Sequence, residues 1–110
     1  MERERIKPII LNEEDTGKVY TLEFNRKTIV MAETAGFEFE EMKHKPMSQL
    51  MVLWHYAFLM HHPTITKEKT AQLYDDLGGI PDGLIERLLE LYNAGAVTLS
   101  SENPKATVVL

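Results

Sequence analysis

Residues 46–62 carry no acid and no base, although every other stretch of the chain is charged. The block opens at Pro46, which suits a first helical turn, and stops at Pro63, which cannot continue one. Between them Leu50 to Met60 is apolar apart from His55, and the pattern predicts a helix over about 47–61. Ser48, His55 and His62 recur at intervals of seven and fall in a stripe about 40° wide; apolar residues cover most of the remaining circumference. Such a helix must be covered by its own domain or by a partner. It is well short of the roughly 20 residues that span a bilayer.

The preceding segment has the two-residue period of strands. Ile6, Ile9, Ile10 and Leu11 favour extended structure, and Pro8 assigns that run to a sheet edge. Asn12 to Gly17 is an acidic loop, after which Tyr20, Leu22 and Phe24 alternate onto one face. A β-hairpin over about 5–24 is therefore expected, stabilised only if helices cover its apolar face.

Asn25 is placed as an N-cap for a helix over about 25–35, closed by Gly36. Residues 37–45 form a charged connector with Phe37 and Phe39 as its anchors. Past Pro63, Thr66 caps a helix over about 67–77 whose inner arc holds Ala71, Leu73, Tyr74 and Leu77; Gly78-Gly79 stops it. A last helix over about 81–94 places Leu84, Ile85, Leu88, Leu89, Leu91 and Tyr92 on one arc and ends at Gly95. The expected architecture is α+β: an N-terminal β-hairpin packed against about four α-helices. One domain over 1–95 accounts for the core, with 96–110 as a tail or with a short added strand through Val97-Thr98-Leu99.

Composition removes several functional classes. The chain has 110 residues and no cysteine, so disulfides, iron–sulfur clusters, thiol catalysis and cysteine zinc sites are excluded. Seventeen acids against twelve bases argue against nucleic-acid binding, which needs a basic face. The charged start, Met1 to Arg5, is no secretory signal. Of the four histidines, His55 and His62 would lie roughly 10 Å apart on a helix, too far to share one metal ion. Glu13-Glu14-Asp15, Glu40-Glu41 and Asp75-Asp76 are sequence neighbours, which diverge, whereas acid–base catalysis needs carboxylates converging across a cleft. No nucleophile elbow or phosphate loop is present, so neither an enzyme nor a cofactor is expected.

Two features suit a binding protein instead. Met51, Trp54 and Phe58 are spaced to share one face of the charge-free helix, and an aromatic flanked by adaptable methionine fits a variable apolar partner. A core role for the same face is the competing expectation. Asp75 and Asp76 oppose the macrodipole in the last turn of their helix, as Arg26 and Lys27 do in the first turn of theirs. These charges suit pairing with one another or with a partner; tolerated surface charge is the competing expectation.

The order of several short motifs resembles one family. Tyr20-Thr21-Leu22-Glu23-Phe24-Asn25-Arg26-Lys27-Thr28-Ile29-Val30, then Ala32-Glu33 and Gly36, is similar to the opening of the tail assembly chaperones of long-tailed bacteriophages. Leu53 to Phe58, then His61-His62-Pro63-Thr64-Ile65-Thr66, and the break at Gly78-Gly79-Ile80, are similar to their second half. The resemblance covers about residues 18–94. It implies a non-catalytic α+β protein of the host bacterial cytoplasm, absent from the mature virion. Such a protein binds the tape measure protein, keeps it soluble and helps recruit tail tube subunits. The resemblance also leaves room for self-association and for a longer, frameshifted form. The alternative is a structural tail-completion or head–tail connector protein.

Overall fold

The structure is a computed structural model that describes residues 6–97, 106 and 108–110. Strand β1 (Ile9–Glu13) begins directly after Pro8, and β2 (Lys18–Leu22) pairs with it antiparallel, Ile9 opposite Leu22 and Glu13 opposite Lys18. Asn12 and Glu13 thus belong to the strand and not to the loop. Gly17, at φ 73°, closes the turn with its N–H on the Glu13 carbonyl at 2.8 Å. Tyr20, Leu22 and Phe24 turn inward and are buried, as the alternation requires.

Helix α1 (Arg26–Thr34) starts at a reciprocal cap. Asn25 Oδ1 accepts from the Thr28 N–H at 2.9 Å, and Thr28 Oγ1 accepts from the Asn25 N–H at 3.0 Å. Gly36, at φ 105°, ends the element. The connector folds as a 3₁₀ turn over Phe39–Lys43. Only Phe37 anchors it; Phe39, expected as a second anchor, is exposed and lies edge-on to the Phe37 ring. The missing anchor is replaced by Gln49, buried on the next helix. Its Oε1 accepts from the Glu38 N–H at 2.7 Å and its Nε2 donates to the Gly36 carbonyl at 3.1 Å.

Helix α2 (Pro46–Phe58) is shorter than the charge-free block predicts. It tightens into a turn at Leu59, four residues before Pro63, where the Leu59 N–H bonds to the Tyr56 carbonyl. The stripe of polar positions on it divides: Ser48 is exposed and His55 is buried. Helix α3 (Lys67–Asp76) has Thr66 as its cap, the hydroxyl accepting from the Lys69 N–H. Helix α4 (Leu84–Val97) begins one turn later than Pro81 and runs through Gly95. Gly95 does not stop the helix; it lets the helix approach the end of β2. A Cβ there would sit 2.7 Å from the Phe24 carbonyl oxygen. Of the proposed 97–99 strand, Val97 belongs to α4, and residues 98–99 lie outside the described residues.

Among the described residues the fold is thus α+β, a two-stranded N-terminal hairpin on four helices. α2 is the central member: Leu50, Leu53, Trp54, Ala57 and Phe58 join Tyr20 and Leu22 from β2, Ile29 and Ala32 from α1, Leu73 from α3, and Leu88, Leu91 and Tyr92 from α4. The charge-free block is where it is because every neighbouring element packs on it.

Candidate functional site

The two residues expected to anchor a partner are part of this core. Trp54 is 1% exposed and Phe58 is fully buried, their rings edge-to-face at 5.1 Å. Trp54 Nε1 donates to the Thr70 carbonyl at 2.7 Å, which ties α2 to α3. Met51 is half-buried against the same cluster. The face expected to meet a partner is therefore an internal one for Trp54 and Phe58. Of the two, only Trp54 lines a surface groove.

His55 occupies the same helix–helix contact. The Thr70 hydroxyl donates to the Lys67 carbonyl, so the His55 Nδ1–H donates to Thr70 Oγ1 at 2.9 Å. Burial, and then the nearby Lys67 charge, push the His55 pKa below the ordinary value.

A polar cluster joins the hairpin to α3. Glu13, read in the sequence as one member of an acidic loop, is buried. Its Oε2 accepts from Lys69 Nζ at 2.6 Å and from Gln72 Nε2 at 3.3 Å, and its Oε1 accepts from Thr16 at 2.9 Å and from the Tyr20 hydroxyl at 3.3 Å. The hydrogen bond from Lys69, followed by that from Thr16, holds this carboxyl below its usual range. Four donors on one carboxylate make a structural clasp between residues 56 positions apart. Glu14 and Asp15 stay exposed.

Beside the clasp lies a cleft of about 470 Å³ lined by Lys18, Tyr20, His61, His62, residues 63–66 and Lys69. The His61 Nε2 pairs with Glu23 at 2.9 Å. The His62 Nε2 accepts from the Thr21 N–H at 3.0 Å, and burial together with Lys18 and His61 lowers its pKa. A general base needs a ring nitrogen within reach of a nucleophile or substrate proton. Here one Nε2 faces a carboxylate and the other caps a strand edge. Among the described residues, no group of three His, Cys, Asp or Glu side chains could hold a metal ion.

The second concavity is apolar. A groove of about 330 Å³ runs between β1 and the α3–α4 corner, walled by Ile9, Ile10 and Leu11 on one side and by Leu77, Pro81 and Leu84 on the other. Trp54, Asp82 and Arg87 line it as well. Asp75 and Asp76 are exposed in the last turn of α3, just before Leu77. Asp76 accepts from Gln72 Nε2 at 3.1 Å. Among the described residues neither aspartate pairs with Arg26 or Lys27, so the dipole-opposing charges do not compensate each other across the fold. The groove has little signature in the sequence because its walls come from residues some seventy positions apart. Its one sequence signal was Ile10, an apolar residue on the polar phase of an edge strand.

Fold and site together define a small α+β domain with an open apolar groove at the free edge of its hairpin and acidic residues near one end. The chain belongs to the DUF5055 family, described as a domain of unknown function, which matches residues 4–109. No curated protein and no solved structure matches it. No helix among the described residues is long and apolar enough to cross a membrane.

Proposed function

We propose that the protein is a non-catalytic assembly chaperone of the kind made for long-tailed bacteriophages. In this reading it works in the host bacterial cytoplasm, holds the tape measure protein in soluble form, helps bring tail tube subunits to it, and is left out of the mature virion. The motif resemblance over residues 18–94 supports this reading. The observation that carries it is the uncovered groove over Trp54: an apolar concavity of this kind suits an apolar segment of an aggregation-prone client. Met51, Asp75 and Asp76 are the partner-binding residues of this reading that remain at or near the surface, with Met51 half-buried and the two aspartates exposed.

Co-expression with the tape measure protein of the same genome tests it. The parent chain keeps that protein in the soluble fraction and co-purifies with it. Ile10→Asp, at a residue 55% exposed and so harmless to the core, loses the client while retaining its own fold. Met51→Ser tests the second contact in the same way. A parent chain that leaves the tape measure protein insoluble, or that is found in stoichiometric amounts in purified virions, sinks the reading.

A further inference from the structure

We infer that the outer edge of β1 is a strand-acceptor site, and that its occupant is the segment 106–110 of a second copy of this chain. The inference does not rest on the chaperone reading.

Backbone hydrogen bonds of a strand alternate between its two edges. On β2 the N–H groups of Thr21 and Glu23 point away from β1, to His62 Nε2 at 3.0 Å and to the Ala57 carbonyl at 2.9 Å. Residues 18, 20 and 22 therefore face β1. With Leu22 opposite Ile9, Tyr20 opposite Leu11 and Lys18 opposite Glu13, the inward-bonding residues of β1 are 9, 11 and 13. Ile10 and Asn12 direct their N–H and C=O groups to the other side, where no described residue meets them. Among the described residues the hairpin thus has one edge covered by α2 and the turn after it, and one edge open.

The apolar groove runs along the open edge. Side chains of consecutive strand residues project to opposite faces, so a groove lined by Ile9, Ile10 and Leu11 together follows the edge and does not lie over either face. Unpaired backbone beside an apolar trough is what an added strand uses: main-chain bonds on one side, alternate side chains set in the trough.

The chain carries a segment of matching chemistry. Residues 106–110, Ala-Thr-Val-Val-Leu, hold no charge and three β-branched side chains in succession. Val108, Val109 and Leu110 are 81%, 97% and 115% exposed, so these three side chains are not buried against the described body of the chain. An uncharged strand-former in water and an open edge with a trough satisfy each other between two copies. Reciprocal exchange closes a dimer with two such contacts.

The test compares the full chain with V108D/V109D, which puts one charge on each face of the added strand and so needs no assumption about register. Both side chains are exposed, so the variant keeps the parent far-UV circular dichroism. By sedimentation velocity the parent forms dimers as concentration rises, and V108D/V109D raises the dimerisation Kd at least about tenfold, as losing burial of an apolar side chain requires. Amide exchange at Ile10 and Asn12 slows with concentration in the parent and stays fast in the variant. A parent that remains monomeric overturns the proposal. So does dimerisation that survives in V108D/V109D, and so does exchange protection independent of concentration, which would mean that the segment docks on its own chain. A client of the proposed function would use the same trough and so compete with this segment; V108D/V109D should therefore still keep the client soluble in the co-expression assay, which separates failure of the one reading from failure of the other.

Discussion

The indole Nε1 of Trp54 and the main-chain carbonyl of Thr70 are 2.7 Å apart, a buried hydrogen bond between the central helix and its neighbour. Thr70 receives the chain's only tryptophan through its carbonyl and His55 through its hydroxyl. This double contact makes the α2–α3 pairing specific and turns the most conspicuous interface candidate of the sequence into a core residue. Trp54→Phe removes the bond and leaves space beside Phe58 and Tyr74. It should cost about 2–4 kcal/mol, read as a lower urea midpoint by circular dichroism. A loss below about 0.5 kcal/mol would mean that the indole is dispensable to the core.

Gly95 offers a test in which local propensity and tertiary packing disagree. In an isolated helix, Gly→Ala is stabilising by about 1 kcal/mol. Here the new Cβ would meet Phe24 backbone at 2.7 and 2.9 Å, atoms that cannot move aside as a side-chain tip could. Gly95→Ala should therefore destabilise, by about 1–3 kcal/mol. A rise in thermal midpoint would show that α4 and the end of β2 are not in close contact.

The Tyr74 hydroxyl is buried with no hydrogen-bond partner among the described residues, while its ring lies edge-on to Trp54 at 5.7 Å. Removing an unpaired buried oxygen relieves its desolvation and keeps the ring contact. Tyr74→Phe should be neutral or stabilising by up to about 1 kcal/mol. A clear loss of stability in denaturant would reveal a partner for that oxygen.

Acid should weaken the fold in two stages. His55 and His62 have pKa values below the ordinary 6.5, so near and under that pH the unfolded chain binds protons that the native chain does not. Their contribution is complete above 6.5 and is lost as pH falls from there towards their native values. Glu13 lies below the ordinary 4.5, and its contribution is complete above 4.5 and lost as pH falls through its native value. Urea midpoints measured from neutral to acidic pH should show both declines. In Glu13→Gln the second should shrink and the first remain. A midpoint unchanged between neutral pH and 5 would contradict the roles of the two histidines.

The element order was legible because each signal was local. Asn25 and Thr66 cap helices through bonds to residues three positions away. The alternation Tyr20, Leu22, Phe24 and the arc around Leu88 follow from strand and helix periods. An apolar helix without charge had to be covered, and it is the centre of the core.

Which side covers it was not a local matter. Periodicity gives Trp54, Phe58 and Met51 a common face whether that face meets α3 or another protein; the Thr70 carbonyl and the Leu73 side chain decide for the core. Glu13 reads as one acid in a run of three, and its burial depends on Lys69 and Gln72, far along the chain. Gly95 reads as a stop signal, and the approach of Phe24 makes it a packing residue within a helix. The groove has no linear signature, since β1 and the α3–α4 corner build it only once the chain has closed. Sequence alone determined what is governed by neighbours within a turn or a strand: elements, caps and the apolar phase of each. Tertiary structure decided which buried polar groups pair and which edge is left open, because those depend on contacts between residues that only the fold brings together.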